Sequence, residues 1–134
     1  MQVKEIMTTK VISANPEESV RSVILKLRKN RISGVPVVDD ENRVVGVFTE
    51  TDVMNALPDI LNDAEMIPLI DVRELTGYAI KKVMTTPVIK VTPETEIKEA
   101  AKLILENYVH RLPVVEGRKL VGIVSLGDVL KSFI

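Results

Sequence analysis

An internal repeat constrains this chain more than any other feature. Ile6-Met7-Thr8-Thr9 returns as Val83-Met84-Thr85-Thr86, and Val35-Pro36-Val37-Val38 returns as Leu112-Pro113-Val114-Val115. Gly46-Val47-Phe48-Thr49-Glu50-Thr51-Asp52 then returns as Gly122-Ile123-Val124-Ser125-Leu126-Gly127-Asp128. Met84 follows Met7 by 77 residues and Asp128 follows Asp52 by 76, so the second copy has lost one residue in the turn at Asp39-Asp40-Glu41-Asn42. A duplicated unit implies two similar halves, and with them two similar sites about an approximate two-fold axis.

At 134 residues the chain suits one compact domain or two small, mutually dependent halves. A chain near this length buries about 70% of the surface exposed when unfolded. There is no Trp, and there are only two Tyr and two Phe. The core must therefore be Val, Ile and Leu, which fits short strands under amphipathic helices. The net charge of −1, with both signs interspersed, argues against electrostatic binding to nucleic acid. Cysteine is absent, which excludes disulfides, thiolate catalysis and Cys-based metal sites. No segment resembles a signal peptide, and no uncharged apolar run approaches the ~18 residues of a membrane span. The expectation is a cytoplasmic protein without a membrane anchor.

Each repeat reads strand, helix, strand, strand, helix. In the first, Val11 to Ala14 is a strand candidate, Asn15 a helix cap and Pro16 the first helical position. Val20, Val23, Ile24 and Leu27 recur at helical spacing, which predicts a helix over 16–30. Two apolar runs around the Asp39–Asn42 turn predict a hairpin, and a last helix is expected from Thr49 to Pro58. The second repeat copies this order: strand Val88–Val91, cap Thr92, helix from Pro93, hairpin around Glu116-Gly117-Arg118, and a helix from Ser125 to Ile134. The expected division is 1–57, an apolar-rich segment 58–78 forming short helices broken at Pro68 and Gly77, and 79–134.

The chemistry concentrates at the paired corners Gly46-x-x-Thr49-x-x-Asp52 and Gly122-x-x-Ser125-x-x-Asp128. One reading is structural: a hydroxyl and an acid three residues apart form a capping box. The other is functional. The glycine permits close approach of another group, the helix start welcomes phosphate, and the carboxylate can accept two sugar hydroxyls. His110-Arg111 precedes the second Pro motif, where the first repeat has Ser33-Gly34. Arg111 is a candidate phosphate clamp, because its planar fork bonds oxygens in pairs. His110, the single histidine, has no partners for a metal site or a catalytic triad. Walker, Gly-x-Gly-x-x-Gly and His-Glu-x-x-His motifs are all missing, so neither catalysis nor a metal site is expected.

Together these residues resemble the cystathionine-β-synthase (CBS) domain family, and the tandem resembles a CBS pair, or Bateman module. The matching features are Met-Thr-x-x-Val, the apolar-Pro-Val-Val strand and the Gly-to-Asp corner, twice over and in order. The resemblance covers Val3 to Leu57 and Ala79 to Phe133, and Val109 to Leu130 is similar to the last CBS repeat of AMP-activated protein kinase γ subunits. It implies an α/β fold of two β-α-β-β-α repeats about a pseudo-two-fold axis, with a cleft on each side. It also implies a regulatory module, usually a homodimer, that binds AMP, ADP, ATP or S-adenosylmethionine and signals to an effector protein.

Carried onto this chain, the resemblance places Asp128 on the ribose of one cleft, with Ser125 beside it and Arg111 on the phosphate. Ile6, Met7, Ile32 and Ser33 would complete that cleft. In the opposite cleft Asp52 and Thr49 take the corresponding roles, Val83 and Met84 lie by the base, and Val109 and His110 close the wall. The Asp128 cleft is favoured, because the other has no arginine from its own pre-Pro loop. Two alternatives remain open: an interaction scaffold with empty clefts, and a nucleic-acid-binding CBS protein.

Overall fold

A computed structural model describes residues 1–63 and 77–134, the side chains of 57–63 excepted. It divides into two units, neither of which follows the repeats. One, here the Asp128 unit, comprises Met1–Ile12, Asp40–Val44 and Val88–Ile134; the other, the Asp52 unit, comprises Ser13–Asp39 and Val45–Pro87. Each unit thus contains one repeat's helices and paired strands together with the segment that leads into the other repeat, except that the first repeat's hairpin turn, Asp40–Val44, counts with the Asp128 unit.

In the Asp52 unit, α1 (Val20–Asn30) precedes β1 (Gly34–Val38), β2 (Val44–Thr49) and α2 (Glu50–Asp63). In the Asp128 unit, α3 (Ile97–Asn107) precedes β3 (Arg111–Glu116), β4 (Lys119–Ser125) and α4 (Leu126–Lys131). The α/β class and the repeated helix–hairpin–helix order are as expected. The strands β3 and β4 run antiparallel, with Arg111 opposite Ser125 and a bulge between Val114 and Val115.

The helices α1 and α3 begin four residues later than the capping residues predict. The turn at 15–18 is an Asx turn, with Glu17 N–H donating to Asn15 Oδ1 at 3.0 Å. Its carbonyls then accept from a backbone strap instead of starting a helix: Ile80 N–H donates to Glu18 O and Lys81 N–H to Pro16 O. Val20 N–H, which a helix would direct at Pro16 O, donates to Tyr78 O. The Asp128 unit repeats this, with Val3 N–H on Thr95 O, Lys4 N–H on Pro93 O and Ile97 N–H on Met1 O. Ser19, not Asn15, caps α1 by accepting from Ser22 N–H at 3.0 Å.

The leading strands shrink to single bridges for a reason equally local. Ala14 donates to Pro36 O and accepts from Val38 N–H, making one parallel bridge to Val37. The next rung would need an N–H on Pro36, which proline lacks. Val91 meets Val114 in the same way, and Pro113 ends that ladder. On the other edge of each hairpin, Thr85 pairs with Val47 and Thr8 with Ile123.

The cores are aliphatic, as composition requires. Val3, Val91, Ile97, Ala100, Ile104, Leu112, Val114, Val124 and Val129 form the buried cluster of the Asp128 unit, with Ile6 and Met7 packed against it. In the Asp52 unit Val20, Val23, Leu27, Val35, Val37, Phe48 and Ile80 are wholly buried. The helix α2 continues through Pro58 to Asp63, past its expected end. Residues 64–76 of the segment between the repeats, including the expected break at Pro68, lie outside the described residues. The expected final helix shortens to the six residues of α4, capped by Ser125.

Both α1 and α3 stop on a left-handed residue that is not glycine: Arg31 and Tyr108, each at φ 54°. Ile32 N–H then reaches Leu27 O, and Val109 N–H reaches Ile104 O, closing the helix ends in the Schellman manner. The left-handed conformation costs an L-residue about 1–2 kcal/mol, and Tyr108 is 94% exposed. Tyr108→Gly should therefore raise unfolding stability by about 0.5–1 kcal/mol after the unfolded-state entropy of glycine is deducted. Urea titration measures it; a loss of stability would show that the ring contributes more than the strain it imposes.

Candidate functional site

Both corners form the capping box. In the Asp128 unit Ser125 Oγ accepts from Asp128 N–H at 3.0 Å, and Asp128 Oδ2 accepts from Ser125 N–H at 2.9 Å. In the Asp52 unit the matching distances are 3.3 Å to Thr49 Oγ1 and 2.9 Å to Asp52 Oδ2. Each carboxylate thus commits one oxygen to the backbone.

The other oxygen distinguishes them. Asp52 Oδ1 accepts from Thr85 Oγ1 at 2.6 Å, and the residue is only 9% exposed. The equivalent hydroxyl, on Thr8, makes no bond to Asp128, although the backbone of Thr8 pairs with Ile123 as that of Thr85 pairs with Val47. Asp128 Oδ1 therefore has no protein partner. No buried side-chain polar atom among the described residues lacks a partner, so this oxygen faces solvent.

Arginine and glycine extend the contrast. Arg111 stands directly across the ladder from Ser125, where cross-strand side chains share a face. Burial lowers its pKa by penalising the charged guanidinium, and an anion alongside would offset that cost. The same position in the Asp52 unit is Gly34. A Cβ built there would meet Thr49 Cγ2 at 2.8 Å and Phe48 O at 3.0 Å. The methyl of Thr49 occupies the space through which a side chain at 34 would leave the backbone; Ser125 has no such methyl.

Two expectations are corrected. The glycines of the corners admit the chain itself: a Cβ at Gly46 would meet Met84 Sδ at 2.5 Å, and one at Gly122 would meet Met7 Sδ at 2.8 Å and Thr8 O at 3.1 Å. The N–H groups at the start of α4 are also largely occupied, since Leu126 donates to His110 O at 2.8 Å and Asp128 to Ser125 Oγ. In the Asp52 unit Glu50 N–H donates likewise to Ser33 O at 3.0 Å. The helix starts therefore offer a phosphate little; Arg111 offers more.

The family model for the CBS domain matches residues 3–59 and 80–134. The chain belongs to the CBS domain family. It carries two CBS repeats, which makes it a CBS pair. An uncharacterized protein of Methanocaldococcus jannaschii is 30% identical over the whole chain and 92% of its own length. The inosine-5'-monophosphate dehydrogenase of the same organism is 34% identical, but the match spans only 22% of that enzyme. Among solved structures, CBSX2 from Arabidopsis thaliana in complex with AMP superposes with a TM-score of 0.82 at 28% identity, over 98% of this chain and 95% of that one. The M. jannaschii protein MJ1225, a candidate archaeal homologue of γ-AMPK, gives 0.91 at 30% identity, with 99% of this chain matched to 48% of that one. The CBS domain pair of protein MJ0100 in complex with 5'-methylthioadenosine and S-adenosyl-L-methionine gives 0.79 at 25% identity, over 99% and 95%.

Within this CBS pair, the Asp128 unit brings together Asp128, Ser125, Arg111, Ile6 and Met7, and also holds Val109 and His110. His110 is exposed and Val109 packs on the core. Asp52, Thr49, Val83, Met84, Ile32 and Ser33 belong to the Asp52 unit. Two further cations near the repeat junction are engaged elsewhere: Lys81 Nζ lies 2.8 Å from Glu17 Oε1, and Lys82 Nζ lies 5.1 Å from the Tyr78 ring centre. The residue that sequence reasoning missed is Thr85. Its place in the repeated Met-Thr-Thr was visible, but Thr8 shares that motif without sharing the bond.

Loss of Asp52 removes a buried acceptor of two bonds, and loss of Asp128 removes an acceptor of one. Asp52→Ala should cost about 2–3 kcal/mol in chemical denaturation and Asp128→Ala about 1 kcal/mol; equal losses would contradict the asymmetry. Ser125→Thr would place a methyl against the Arg111 Cβ, as Thr49 does over Gly34. It should destabilise by about 1–3 kcal/mol, while Thr49→Ser should cost less.

Proposed function

We propose that this CBS pair is a regulatory module that binds an adenosine-derived ligand at the Asp128 corner. The classes in view are AMP, ADP, ATP and S-adenosylmethionine. The observation that carries the reading is the solvent-facing Asp128 oxygen, held by the cap, with Arg111 across the strand. A fixed carboxylate oxygen can accept from a ribose hydroxyl, and the guanidinium can bond phosphate oxygens in pairs. Ser125 stands beside both, and Ile6 and Met7 supply an apolar flank. The AMP complex of CBSX2 and the methylthioadenosine and S-adenosylmethionine complex of MJ0100 support the same ligand class.

In this reading the CBS motifs are 1–57 and 79–134, joined by 58–78, and the pair acts as a homodimer in the cytoplasm. It performs no catalysis; an effector protein reads the ligand through a change in conformation. Among the described residues no helix is long and apolar enough to cross a membrane.

Thermal denaturation with AMP, ADP, ATP and S-adenosylmethionine tests the proposal. Ligand at 100 times its Kd adds about 2.7 kcal/mol, a rise of roughly 10 °C in the melting temperature of a chain this long. Asp128→Ala should abolish most of the rise while still folding. Arg111→Gln should weaken AMP binding far more than adenosine binding. A flat response to all four compounds would leave the CBS pair as a scaffold without this ligand class.

A further inference from the structure

We infer that Thr85 closes the Asp52 corner from within, so that each chain holds one adenosine-type ligand, at Asp128. The inference rests on the reading of the Asp128 corner given above and adds its stoichiometry and the residue that sets it. A sugar hydroxyl needs a carboxylate oxygen with a free direction of approach. Asp52 has spent Oδ2 on Thr49 N–H and Oδ1 on the Thr85 hydroxyl at 2.6 Å. With the residue 9% exposed, little of the carboxylate is left for another donor. The Thr85 hydroxyl therefore stands where a ribose hydroxyl would donate.

The fold does not force this bond. Thr8 holds the same position beside β4, with the same two backbone bonds at 2.9 Å, and leaves Asp128 Oδ1 to solvent. The closure is thus a property of one side chain. A ligand entering the Asp52 corner would first have to break a charge-assisted hydrogen bond, which weakens binding about tenfold or more. It would find no arginine in return, because position 34 is glycine and the Thr49 methyl fills the space above it.

Isothermal titration of the full chain with AMP decides the matter. The wild type should bind one AMP per chain, Asp128→Ala none, and Thr85→Ala two, the second at least tenfold weaker. Thr85→Ser keeps the hydroxyl and should return the count to one. In NMR spectra of the ligand-free protein, the Thr85 hydroxyl proton should exchange with water more slowly than that of Thr8, a readout independent of nucleotide. Two sites in the wild type would overturn the closure while leaving nucleotide binding intact. A single site in Thr85→Ala, or equal hydroxyl exchange, would show that Thr85 is not what closes the corner. One site surviving in Asp128→Ala would place the ligand elsewhere, and no binding by the wild type or by Thr85→Ala would overturn both this inference and the nucleotide reading.

Discussion

Everything in this fold hangs on a backbone strap handed from one repeat to the unit of the other. In each unit three bonds hold it: two strap N–H groups, at residues 3–4 or 80–81, donate to turn carbonyls that a regular helix would have used itself, and the first N–H of the helix donates to a strap carbonyl. Val3, Val20, Ile80 and Ile97 are buried, and buried backbone groups must be paired, so these bonds tie each strap to the turn and helix it meets. The same straps continue into Met7-Thr8 and Met84-Thr85, which lie along the last strand of each hairpin. They carry the side chains that border the two carboxylates, so the packing that closes each unit also decides what each corner can accept.

The corners show how one carboxylate serves structure and chemistry together. Capping needs a single oxygen, and in both units the same oxygen provides it. What remains is set by one neighbouring hydroxyl, bonded to Asp52 and absent from Asp128. Structural and functional readings of the Thr/Ser-x-x-Asp motif are therefore compatible. The cap holds the carboxylate in one orientation, and a fixed acceptor loses less entropy on meeting a ligand than a free one.

Much of the fold was legible in the sequence because the repeat doubled every weak signal. The apolar spacing of Val20, Val23 and Leu27 and of Ile97, Ala100 and Ile104 gave the buried helix faces. The Pro-Val-Val strands and their turns gave the hairpins. Helix starts and leading strands were misread where long-range bonds override local chemistry. Asn15 and Thr92 look like caps, yet their turns answer to straps more than 60 residues away in the chain. At the site, the asymmetry of Arg111 against Gly34 was visible as letters. The Thr85 bond was not, since Thr8 and Thr85 sit in the same motif and only side-chain geometry separates them.

The differences between the two corners are not independent of one another. A threonine in the cap puts its hydroxyl on the backbone N–H and thereby fixes where its methyl must go, which at Thr49 is over the Cβ position of residue 34. Glycine at 34 fits beneath that methyl and beside Phe48 O, which an added Cβ would meet at 2.8 and 3.0 Å, and Ser125 brings no such methyl toward Arg111. That methyl is one difference between the corner that carries an arginine and the corner that does not. Without the cation there is nothing to hold a phosphate, and a carboxylate left only 9% exposed needs an internal donor, which Thr85 provides. The two corners thus differ in residue type at two paired positions, 34 against 111 and 49 against 125, and in the bond made by the threonine they share, at 85 but not at 8.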